Sequence, residues 1–379
     1  MPLIVIYNPV SGDRTAAKLT TDTILPLLAT HNVTPDKVAA TEYAGHAGTL
    51  LLSYIDSLAL SIRAASEPVT LILISGDGTL HEIVNALHGA RTKQERPLPV
   101  LRIALIPGGT ANALHATFFP PPPSTSESST GTALAEPTVL ASLLSFLSAT
   151  PRLVPLTFAR TSIYVSPPAL SGSEHPNAAP ITSASASYPD VVSAVVTSTA
   201  LHAAILHDSE ALRATVPGIE RFKIAAAQNA TTWYRARARL LAPVQRYDIT
   251  ADAFVSVAEE EPLELSGPFA YFLSTVNVDR LEPLFRIAPL QRALPPPPGA
   301  QTMDVVVVRP LRDPSLEGKA GEGEREKFKE RLWGVIGSAY QDGAHIKARY
   351  DSQEGKADGL PVVEYFRVGG WEWIPVSLP

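Results

Sequence analysis

Three short apolar runs near the start of the chain each lead through a glycine-containing loop into a helical pattern. The runs are Leu3–Tyr7, Val69–Ile74 and Leu101–Ile106, and a shorter one lies at Val38–Thr41. The uninterrupted, β-rich run Val69–Ile74 is typical of a strand covered on both faces. Strands that alternate with helices in this order predict a parallel sheet with helices on its faces. Helical spacing of apolar residues is found at Thr15–Thr30, Thr49–Ala65 and Leu80–Leu87, and again from Ala111 onward.

Three loops follow these strands, and the carboxyl ends of parallel strands share the edge of a sheet where ligands bind. Each loop combines glycine with hydroxyl or amide side chains, which favours binding of an anion by the backbone. Two glycine pairs at matching strand ends are a stronger signal than either alone. In chain order, the first, second and third loops read Asn8-Pro9-Val10-Ser11-Gly12, Ser75-Gly76-Asp77-Gly78-Thr79 and Pro107-Gly108-Gly109-Thr110-Ala111-Asn112.

The second loop places an aspartate between two glycines and directly before a helix. Glycine has no Cβ, so phosphate oxygens can approach the backbone N–H groups, and the helix points its positive end at them. Asp77 beside phosphates suits a group that accepts a proton or holds Mg²⁺ through water. The alternative is a structural turn in which Asp77 caps the helix. Neither a P-loop lysine nor a GxGxxG pattern is present.

The composition of the chain excludes some classes of protein and of binding site. The chain has 379 residues, 45% of them hydrophobic, and a formal net charge of −6. This length suits two or three domains, and the acidic balance argues against nucleic acid as a partner. The absence of cysteine excludes disulfides and thiolate metal sites, and the nine histidines contain no HxxxH pair, so no protein-built metal site is predicted.

The sequence also bears on location. No apolar run approaches the roughly 18–20 residues of a membrane span. The N-terminus has no basic region and no small-residue cleavage site, so no secretory signal is expected. We therefore expect a cytoplasmic protein whose contact with intracellular membranes is peripheral. The oligomeric state is left open.

From about residue 150 the sequence changes to short β-rich runs separated by turns, which predicts a second domain of antiparallel strands. We divide the chain into an α/β domain that carries the three loops, at 1–149, and a β-rich domain at 150–379. Residues 120–137 are rich in Ser, Thr, Pro and Gly and are predicted to be a disordered insertion. A helix is predicted at Arg325–Ala339, and disorder at the centre of Pro314–Glu326. The predicted strands are Leu153–Phe158, Ile163–Val165, Val191–Thr197, Arg239–Leu241, Asp252–Val257, Phe269–Thr275, Asp304–Val308 and Val362–Gly369.

Taken together, the loops resemble those of the diacylglycerol kinase catalytic superfamily, which also includes sphingosine and ceramide kinases. The strongest match is Ser75–Leu87, which resembles the nucleotide loop and following helix of the sphingosine kinase subgroup. Residues 107–114 are similar to the family's second glycine loop, and residues 8–12 to its opening motif. Thr41-Glu42-Tyr43-Ala44-Gly45-His46-Ala47 resembles a segment that contributes to the nucleotide pocket.

The resemblance implies a Rossmann-like ATP-binding domain beside an antiparallel β-sandwich that binds a lipid. It implies transfer of the γ-phosphoryl group of ATP to a lipid hydroxyl with Mg²⁺, with Asp77 as the general base. Such a transfer needs positioning and charge stabilisation more than covalent help. Thr79 and Thr110 are expected to contact phosphates or ribose, and Glu82 and Asn112 to orient the nucleotide or the loops. The predicted nucleotide-binding residues are Asn8, Ser11, Gly12, Thr41, His46, Ser75, Gly76, Gly78, Thr79, Glu82, Gly108, Gly109, Thr110, Asn112, Arg213 and Arg221.

The second half matches the family in patches. Residues 209–222 resemble the stretch that supplies two phosphate-binding arginines, here Arg213 and Arg221. Leu206 stands where sphingosine kinases carry the aspartate that pairs with the sphingoid amine, and Gly369 stands at a family aspartate. The acceptor is therefore left open between a sphingoid base and a diacylglycerol-like alcohol. The alternatives are a catalytically weak or inert nucleotide- or lipid-binding member of the fold, and a kinase of a non-lipid hydroxyl such as NAD.

Overall fold

The computed structural model describes residues 1–58, 67–94, 98–121, 136–165, 185–216, 218–258, 261–351 and 359–376. Its N-terminal part is built on four parallel strands in the order β2-β1-β3-β4. The predicted parallel sheet is confirmed, because each predicted strand is present to within one residue at either end. The strands are β1 Leu3–Tyr7, β2 Lys37–Ala40, β3 Val69–Ser75 and β4 Leu101–Pro107.

Both faces of this sheet are covered, as the apolar runs predicted. Alternate residues of a strand point to opposite faces, so Ile4 and Leu71 enter one core while Val5 and Ile72 enter the other. All seven residues of β3 are buried, whereas the edge strand β4 exposes Arg102. The helices of this part are α1 Ala16–Leu19, α2 Leu25–Thr30, α3 His46–Ser57, α4 Asp77–Gln94, α5 Ala113–Phe118, α6 Glu136–Val139 and α7 Ala141–Leu147, with a π-helical turn at Thr20–Ile24.

The C-terminal part is built on a seven-stranded antiparallel sheet, which confirms the predicted class of the second half. Six strands run in the order β11-β10-β15-β14-β13-β9, and β12 also pairs with β10. Two two-stranded ribbons, β5-β8 and β6-β7, precede it. The strands are β5 Ala159–Thr161, β6 Tyr164–Val165, β7 Ser185–Ser187, β8 Val191–Ser193, β9 Val196–Thr199, β10 Ala236–Asp248, β11 Ala253–Ala258, β12 Leu263–Ser266, β13 Tyr271–Thr275, β14 Met303–Val308 and β15 Glu364–Pro375.

One bent sheet supplies both layers of this β-rich part. The pairing of β10 with β15 shifts register between Leu241 and Val244, opposite Gly369. A Cβ at Gly369 would lie 2.2 Å from the Ala242 carbonyl oxygen, so the bend requires glycine there. Beyond the bend, the ring of Trp371 on β15 packs 5.1 Å from that of Phe272 on β13. The outer part of β15 therefore crosses the face of β13 and closes an aromatic core.

Helices cover the other face of the bent sheet. Phe328 and Leu332 of the helix Glu322–Ala339 pack with Leu273 and Val306 in the largest core cluster. The helix is the one predicted at Arg325–Ala339, and it begins three residues earlier. The helices of the second part are α8 Ala200–Leu212, α9 Glu220–Asn229, α10 Leu290–Ala293 and α11 Glu322–Ala339, and 3₁₀ turns lie at Pro310–Arg312, Pro314–Leu316 and Ala344–Lys347.

Several local predictions for the second half are wrong. Leu153–Phe158 forms no strand, because the first strand of this region begins at Ala159. Pro314–Glu326 is ordered through a 3₁₀ turn in which the Asp313 carboxylate accepts the Ser315 N–H at 2.9 Å. Helices α8 and α9 were not predicted, although the Ala, Leu and Glu content of α8 favours a helix.

The predicted division near residue 149 falls after α7, and it stays a prediction. Val192 and Val278 from beyond that point pack into the core of the parallel sheet, so the two parts share an apolar contact. Residues 122–135 of the predicted insertion lie outside the described residues. No helix in the described ranges has the length and hydropathy needed to cross a membrane.

Two deeply buried histidines make the fold sensitive to acid. His115 and His345 are 2% and 0% exposed, and burial lowers the pKa of each to about 4. The unfolded chain takes up these protons near pH 6.5 and the folded protein only near pH 4, so the free energy of unfolding falls as pH drops through this window. We expect His345→Gln to reduce that slope by up to about 1.4 kcal/mol per pH unit. Urea denaturation of wild type, His345→Gln and the exposed-site control His31→Gln between pH 4.5 and 7 tests this. Equal slopes in all three would contradict it.

Candidate functional site

The three glycine-containing loops meet at the carboxyl edge of the parallel sheet. The Asn8 side-chain amide and the Ser75 hydroxyl both donate to the Thr79 hydroxyl oxygen, at 3.1 and 2.6 Å. The Gly108 N–H donates to the Ser75 carbonyl oxygen at 3.1 Å. The first loop is thus joined to the second, and the second to the third, by direct hydrogen bonds. The three loops therefore converge at one edge of the sheet, as the sequence predicted.

Most of the glycines serve contacts between loops. A Cβ at Gly109 would lie 2.5 Å from the Gly76 Cα, and a Cβ at Gly76 would lie 2.9 Å from the Gly109 Cα. Gly12 has a φ of +52°, and a Cβ there would lie 2.5 Å from the Gly108 carbonyl oxygen. Gly78 differs, since nothing lies within 4 Å of its Cβ position. Gly12, Gly76 and Gly109 therefore allow three backbones to touch, while Gly78 is exposed and not packed against another loop.

The Asp77 carboxylate bridges the second and third loops. One oxygen accepts the Ala113 N–H at 2.6 Å and the other accepts the Leu114 N–H at 3.2 Å. Asp77 therefore caps α5, which follows the third loop, while being itself the first residue of α4. Burial raises the pKa of Asp77 above its ordinary value, and the two amide hydrogen bonds oppose part of that rise. Asp77 does cap a helix, as the structural alternative from the sequence predicted. The capped helix is α5, which follows the third loop, and not α4, which follows the second.

Asn112 holds the third loop in shape. Its side-chain oxygen accepts the Gly109 N–H at 2.8 Å, and its amide donates to the Gly109 carbonyl oxygen at 2.7 Å. Its backbone adopts a left-handed conformation with φ of +57°. The neighbouring Thr110 is exposed at the tip of the loop. Asn112 orients the loop, as expected, through contacts inside the loop itself.

The segment after β2 reaches the same edge of the sheet, because β2 lies parallel to β1. The buried Thr41 donates its N–H to the Tyr7 carbonyl oxygen at 2.9 Å, directly before the first loop. His46 Nδ1 accepts the Glu42 N–H at 3.1 Å, and its ring stacks on Tyr43 at 4.4 Å. The Tyr43 ring is exposed, so this edge presents an aromatic surface to solvent.

Among the predicted nucleotide-binding side chains, those of Glu82, Arg213 and Arg221 lie on helices and have no hydrogen bond or ion pair to the loops within the described ranges. Glu82 lies half-buried in the second turn of α4. Arg213 is 60% exposed and donates to Glu210 at 2.7 Å, one turn back along its own helix. Arg221 is buried and lies over the Phe222 ring at 4.6 Å. Contact of these side chains with a nucleotide stays a prediction.

Two hydrogen-bonded links between the halves of the chain begin at this site. The Asn85 amide on α4 donates to the Val192 carbonyl oxygen and accepts the Val192 N–H, both at 2.8 Å. Thr117 on α5 donates to the buried Asp279 at 3.2 Å. Both helices start in a glycine loop, so each link ties the second part to the loop edge. Asn85 lies in the quoted Ser75–Leu87 motif, but its partner lies 107 residues away and could not be found from spacing.

Within the described ranges, no group of three or more His, Cys, Asp or Glu side chains could hold a metal ion. Asp77 is the carboxylate placed at the loops, and both its oxygens already accept amide hydrogen bonds. Mg²⁺ at phosphate sites keeps several waters and takes one or two carboxylates together with phosphate oxygens. Asp77 is therefore the side chain that would hold a Mg²⁺ ion here, and such an ion would need phosphate oxygens and water for most of its ligands.

Comparison with known proteins relates the N-terminal part of the chain to one family. Residues 2–139 match the family model of the diacylglycerol kinase catalytic domain. No curated protein matches the sequence. One similar solved structure is a diacylglycerol kinase from Bacillus anthracis str. Sterne, with 13% identity, coverage of 97% of this chain and 94% of that chain, and a TM-score of 0.41. Another, a candidate diacylglycerol kinase from the same strain, has 13% identity, coverage of 99% of this chain and 87% of that chain, and a TM-score of 0.47.

The glycine contacts generate a prediction about loop packing. We expect Gly109→Ala to lower the free energy of unfolding by about 1–3 kcal/mol, because its Cβ would overlap the backbone of the second loop. Gly78→Ala is the matched control and should be neutral or stabilising by up to about 1 kcal/mol, since it adds a Cβ in open space within a helix. Urea denaturation measures both. Equal loss in the two variants would show that the loops are not packed as described.

The Asn85 link generates a second prediction. Asn85→Ala leaves both main-chain groups of the buried Val192 without these partners, and we expect a loss of about 1–3 kcal/mol in the free energy of unfolding. Asn85→Asp keeps the acceptor and should lose less. Thr92→Ala on the same helix is the control, because Thr92 is exposed and bonds only to carbonyls of its own helix. A loss in Asn85→Ala no larger than in Thr92→Ala would contradict the link.

Proposed function

We propose, from the premise that residues 2–139 form a diacylglycerol kinase catalytic domain, that the protein transfers the γ-phosphoryl group of ATP to a lipid hydroxyl with Asp77 as the general base. The observation that carries the proposal is the position of Asp77 between the second and third loops, at the start of α4. Phosphoryl transfer depends on positioning and charge. A helix start, a glycine facing open space and a carboxylate lie together here, and this combination suits that reaction.

The start of α4 is the proposed cradle for the phosphates. The first four N–H groups of a helix have no acceptor within the helix, and here they include those of Gly78 and Thr79. The open space at Gly78 lets phosphate oxygens come close to them. The helix dipole adds roughly half a positive charge at this end. Mg²⁺ on the phosphates would neutralise the charge that develops during transfer, with Asp77 its nearest proposed protein contact.

The hydrogen bonds of Asp77 are compatible with a base. A carboxylate oxygen has about two lone pairs, so one amide hydrogen bond to each leaves room to accept a proton from an alcohol. The amides of Ala113 and Leu114 fix the orientation of the carboxylate, and burial raises its pKa towards the working pH. In the proposed step, Asp77 accepts the hydroxyl proton while the lipid oxygen bonds to the γ-phosphorus and ADP leaves.

The exposed aromatic edge formed by Tyr43 and His46 is the proposed contact for the base of the nucleotide. Both rings lie at the carboxyl end of β2, on the same sheet edge as the phosphate cradle. A planar base can stack on such a surface. A lipid acceptor would bring this edge to a membrane surface, and contact there is proposed to be peripheral.

Labelled ATP, Mg²⁺ and a panel of 1,2-dioctanoylglycerol, sphingosine, ceramide and NAD test the proposal. We expect label in a lipid with wild type and a loss of at least about 100-fold in kcat with Asp77→Asn, the scale of a general base. Asp13→Asn, which changes an exposed carboxylate beside the first loop, is the matched control and should retain activity. The melting temperature of Asp77→Asn must also be measured, because asparagine replaces one of the two accepting oxygens with an NH2 group, which cannot accept a hydrogen bond.

The pH profile separates a base from a structural cap. A base with a raised pKa is active when ionised, so kcat should fall tenfold per pH unit on the acid side, with a midpoint above 3.8. Label found only in NAD would show that the acceptor is a soluble molecule and not a lipid. Bound ATP without transfer to any acceptor would favour an inert nucleotide-binding protein.

A further inference from the structure

A groove of about 1690 Å³ runs along the outer edge of β4. Consecutive residues from Leu98 to Leu105 line it, so both faces of the edge strand contribute. The segment 151–158, apart from Thr157, also lines the groove as an apolar wall, and Leu153, Val154 and Phe158 are 59%, 42% and 48% exposed there. Large apolar side chains exposed together on a groove wall indicate a surface that meets an apolar ligand.

The groove lies next to the small cavity at the proposed catalytic carboxylate. Leu80 and Leu105 line the groove and also line the small cavity that contains Asp77. Leu80 lies one turn after Asp77 on α4, and Leu105 lies near the end of β4, directly before the third loop. Asp77 itself does not line the groove, and Leu80 and Leu105 lie between the groove and its carboxylate, so a lipid hydroxyl would reach Asp77 past these two side chains.

The dimensions suit hydrocarbon chains. Five residue steps from Val100 to Leu105 extend about 17 Å along the strand, and one leaflet of a membrane core is about 15 Å deep. The volume exceeds the roughly 300–1,000 Å³ of ordinary small-molecule pockets. An added β-strand is a poorer occupant, because the Leu105 N–H on this edge already donates to the Ser142 hydroxyl at 3.0 Å.

The charges around the groove are mainly positive, although the chain as a whole is acidic. Asp279 is the one carboxylate among the described lining residues, and Arg280 and Arg286 each contact it at 2.9 Å. Among the described lining residues an ammonium group would meet arginines and no available carboxylate, and the nearby Asp190 pairs with Arg160 at 3.7 Å. The lining arginines are all exposed, and they are Arg91, Arg102, Arg152, Arg160 and Arg292.

The position at which sphingosine kinases carry an ammonium-binding aspartate supplies no carboxylate in this chain. Leu206 is 45% exposed on α8. Asp208, two residues on, accepts from Asn229 on α9 at 2.7 Å and pairs with His207. That carboxylate is therefore engaged between two helices.

We propose that the β4 groove holds the hydrocarbon chains of the lipid acceptor, and that its arginine rim restricts the acceptor to lipid alcohols without a cationic group. The proposal rests on the lipid kinase function proposed above, with the hydroxyl at Asp77. The chains lie between β4 and Pro151–Phe158, and neutral or anionic oxygens of the lipid face the arginines.

Kinetics of the full chain with dioleoylglycerol in mixed micelles test the apolar wall. Leu153→Asp and Phe158→Asp should raise KM for this lipid about tenfold or more, because a charge in the wall opposes burial of the chain. KM for ATP should stay within twofold. Leu284→Asp is the matched control, since Leu284 is 63% exposed and lies outside the groove. The rise in KM should be smaller for dioctanoylglycerol, whose shorter chains contact less of the wall.

A second experiment tests the proposed effect of the arginines on the choice of acceptor. The double variant Arg102→Glu, Arg152→Glu should raise kcat/KM for sphingosine relative to dioctanoylglycerol by about tenfold or more, and Arg237→Glu on the exposed face of β10 should not. An unchanged preference in the double variant would overturn the role of the rim.

Binding of a fluorescent diacylglycerol analogue without ATP separates this proposal from the proposed function. If no lipid is phosphorylated but the analogue binds wild type and not Leu153→Asp, the kinase function fails and the groove stands. If lipids are phosphorylated and Leu153→Asp behaves like Leu284→Asp in kinetics and binding, the groove proposal fails. If Leu153→Asp binds dioleoylglycerol-containing vesicles more weakly but keeps both its affinity for the fluorescent analogue and its KM for dioctanoylglycerol, the segment is a membrane-contact surface, which also overturns the groove proposal.

Discussion

The two hydrogen bonds from the amides of Ala113 and Leu114 to Asp77 hold the second and third loops at a fixed distance. At that distance the Cα atoms of Gly76 and Gly109 leave no room for a Cβ on either residue. The polar and the steric constraint specify the same arrangement. Here the short side chain of Asp77 reaches the start of α5 because the second and third loops are in backbone contact, and that contact leaves no room for a Cβ at Gly76 or Gly109.

The same constraint extends into the second half of the chain. Helices α4 and α5 begin at the joined loops, and each makes a polar contact with the second part, through Asn85 and Thr117. Val192 and Val278 add an apolar contact to the core of the parallel sheet. The loops, the two helices and the interface between the halves are therefore mechanically coupled. A change in the spacing of the loops would therefore shift the wall of the β4 groove, because α4 and α5 both line it.

The sequence predicted the parallel sheet because its strands are buried on both faces and read as uninterrupted apolar runs. Convergence of the loops followed from the rule that parallel strands end at one edge. The sequence could not show that Gly76 touches Gly109, or that Asp77 caps a helix 36 residues away, because each partner is set by tertiary structure. Leu153–Phe158 has strand-like composition, but a strand also needs a neighbour to pair with, and composition does not reveal one. Val192 was placed in a strand, yet its partnership with Asn85 depends on how the two halves pack.

The position of α4 explains how one element can serve both ends of the proposed acceptor. Its 18 residues extend about 27 Å from Asp77 at one end to Gln94 at the other. The first turn carries the proposed base and the phosphate cradle, while Leu80, Val84 and Leu87 further along face the groove. A lipid lying beside this helix would have its hydroxyl at the ionised end and its chains against the apolar stretch. The helix would then match a lipid alcohol in polarity along its length, and the arginines around the groove would add a condition on charge.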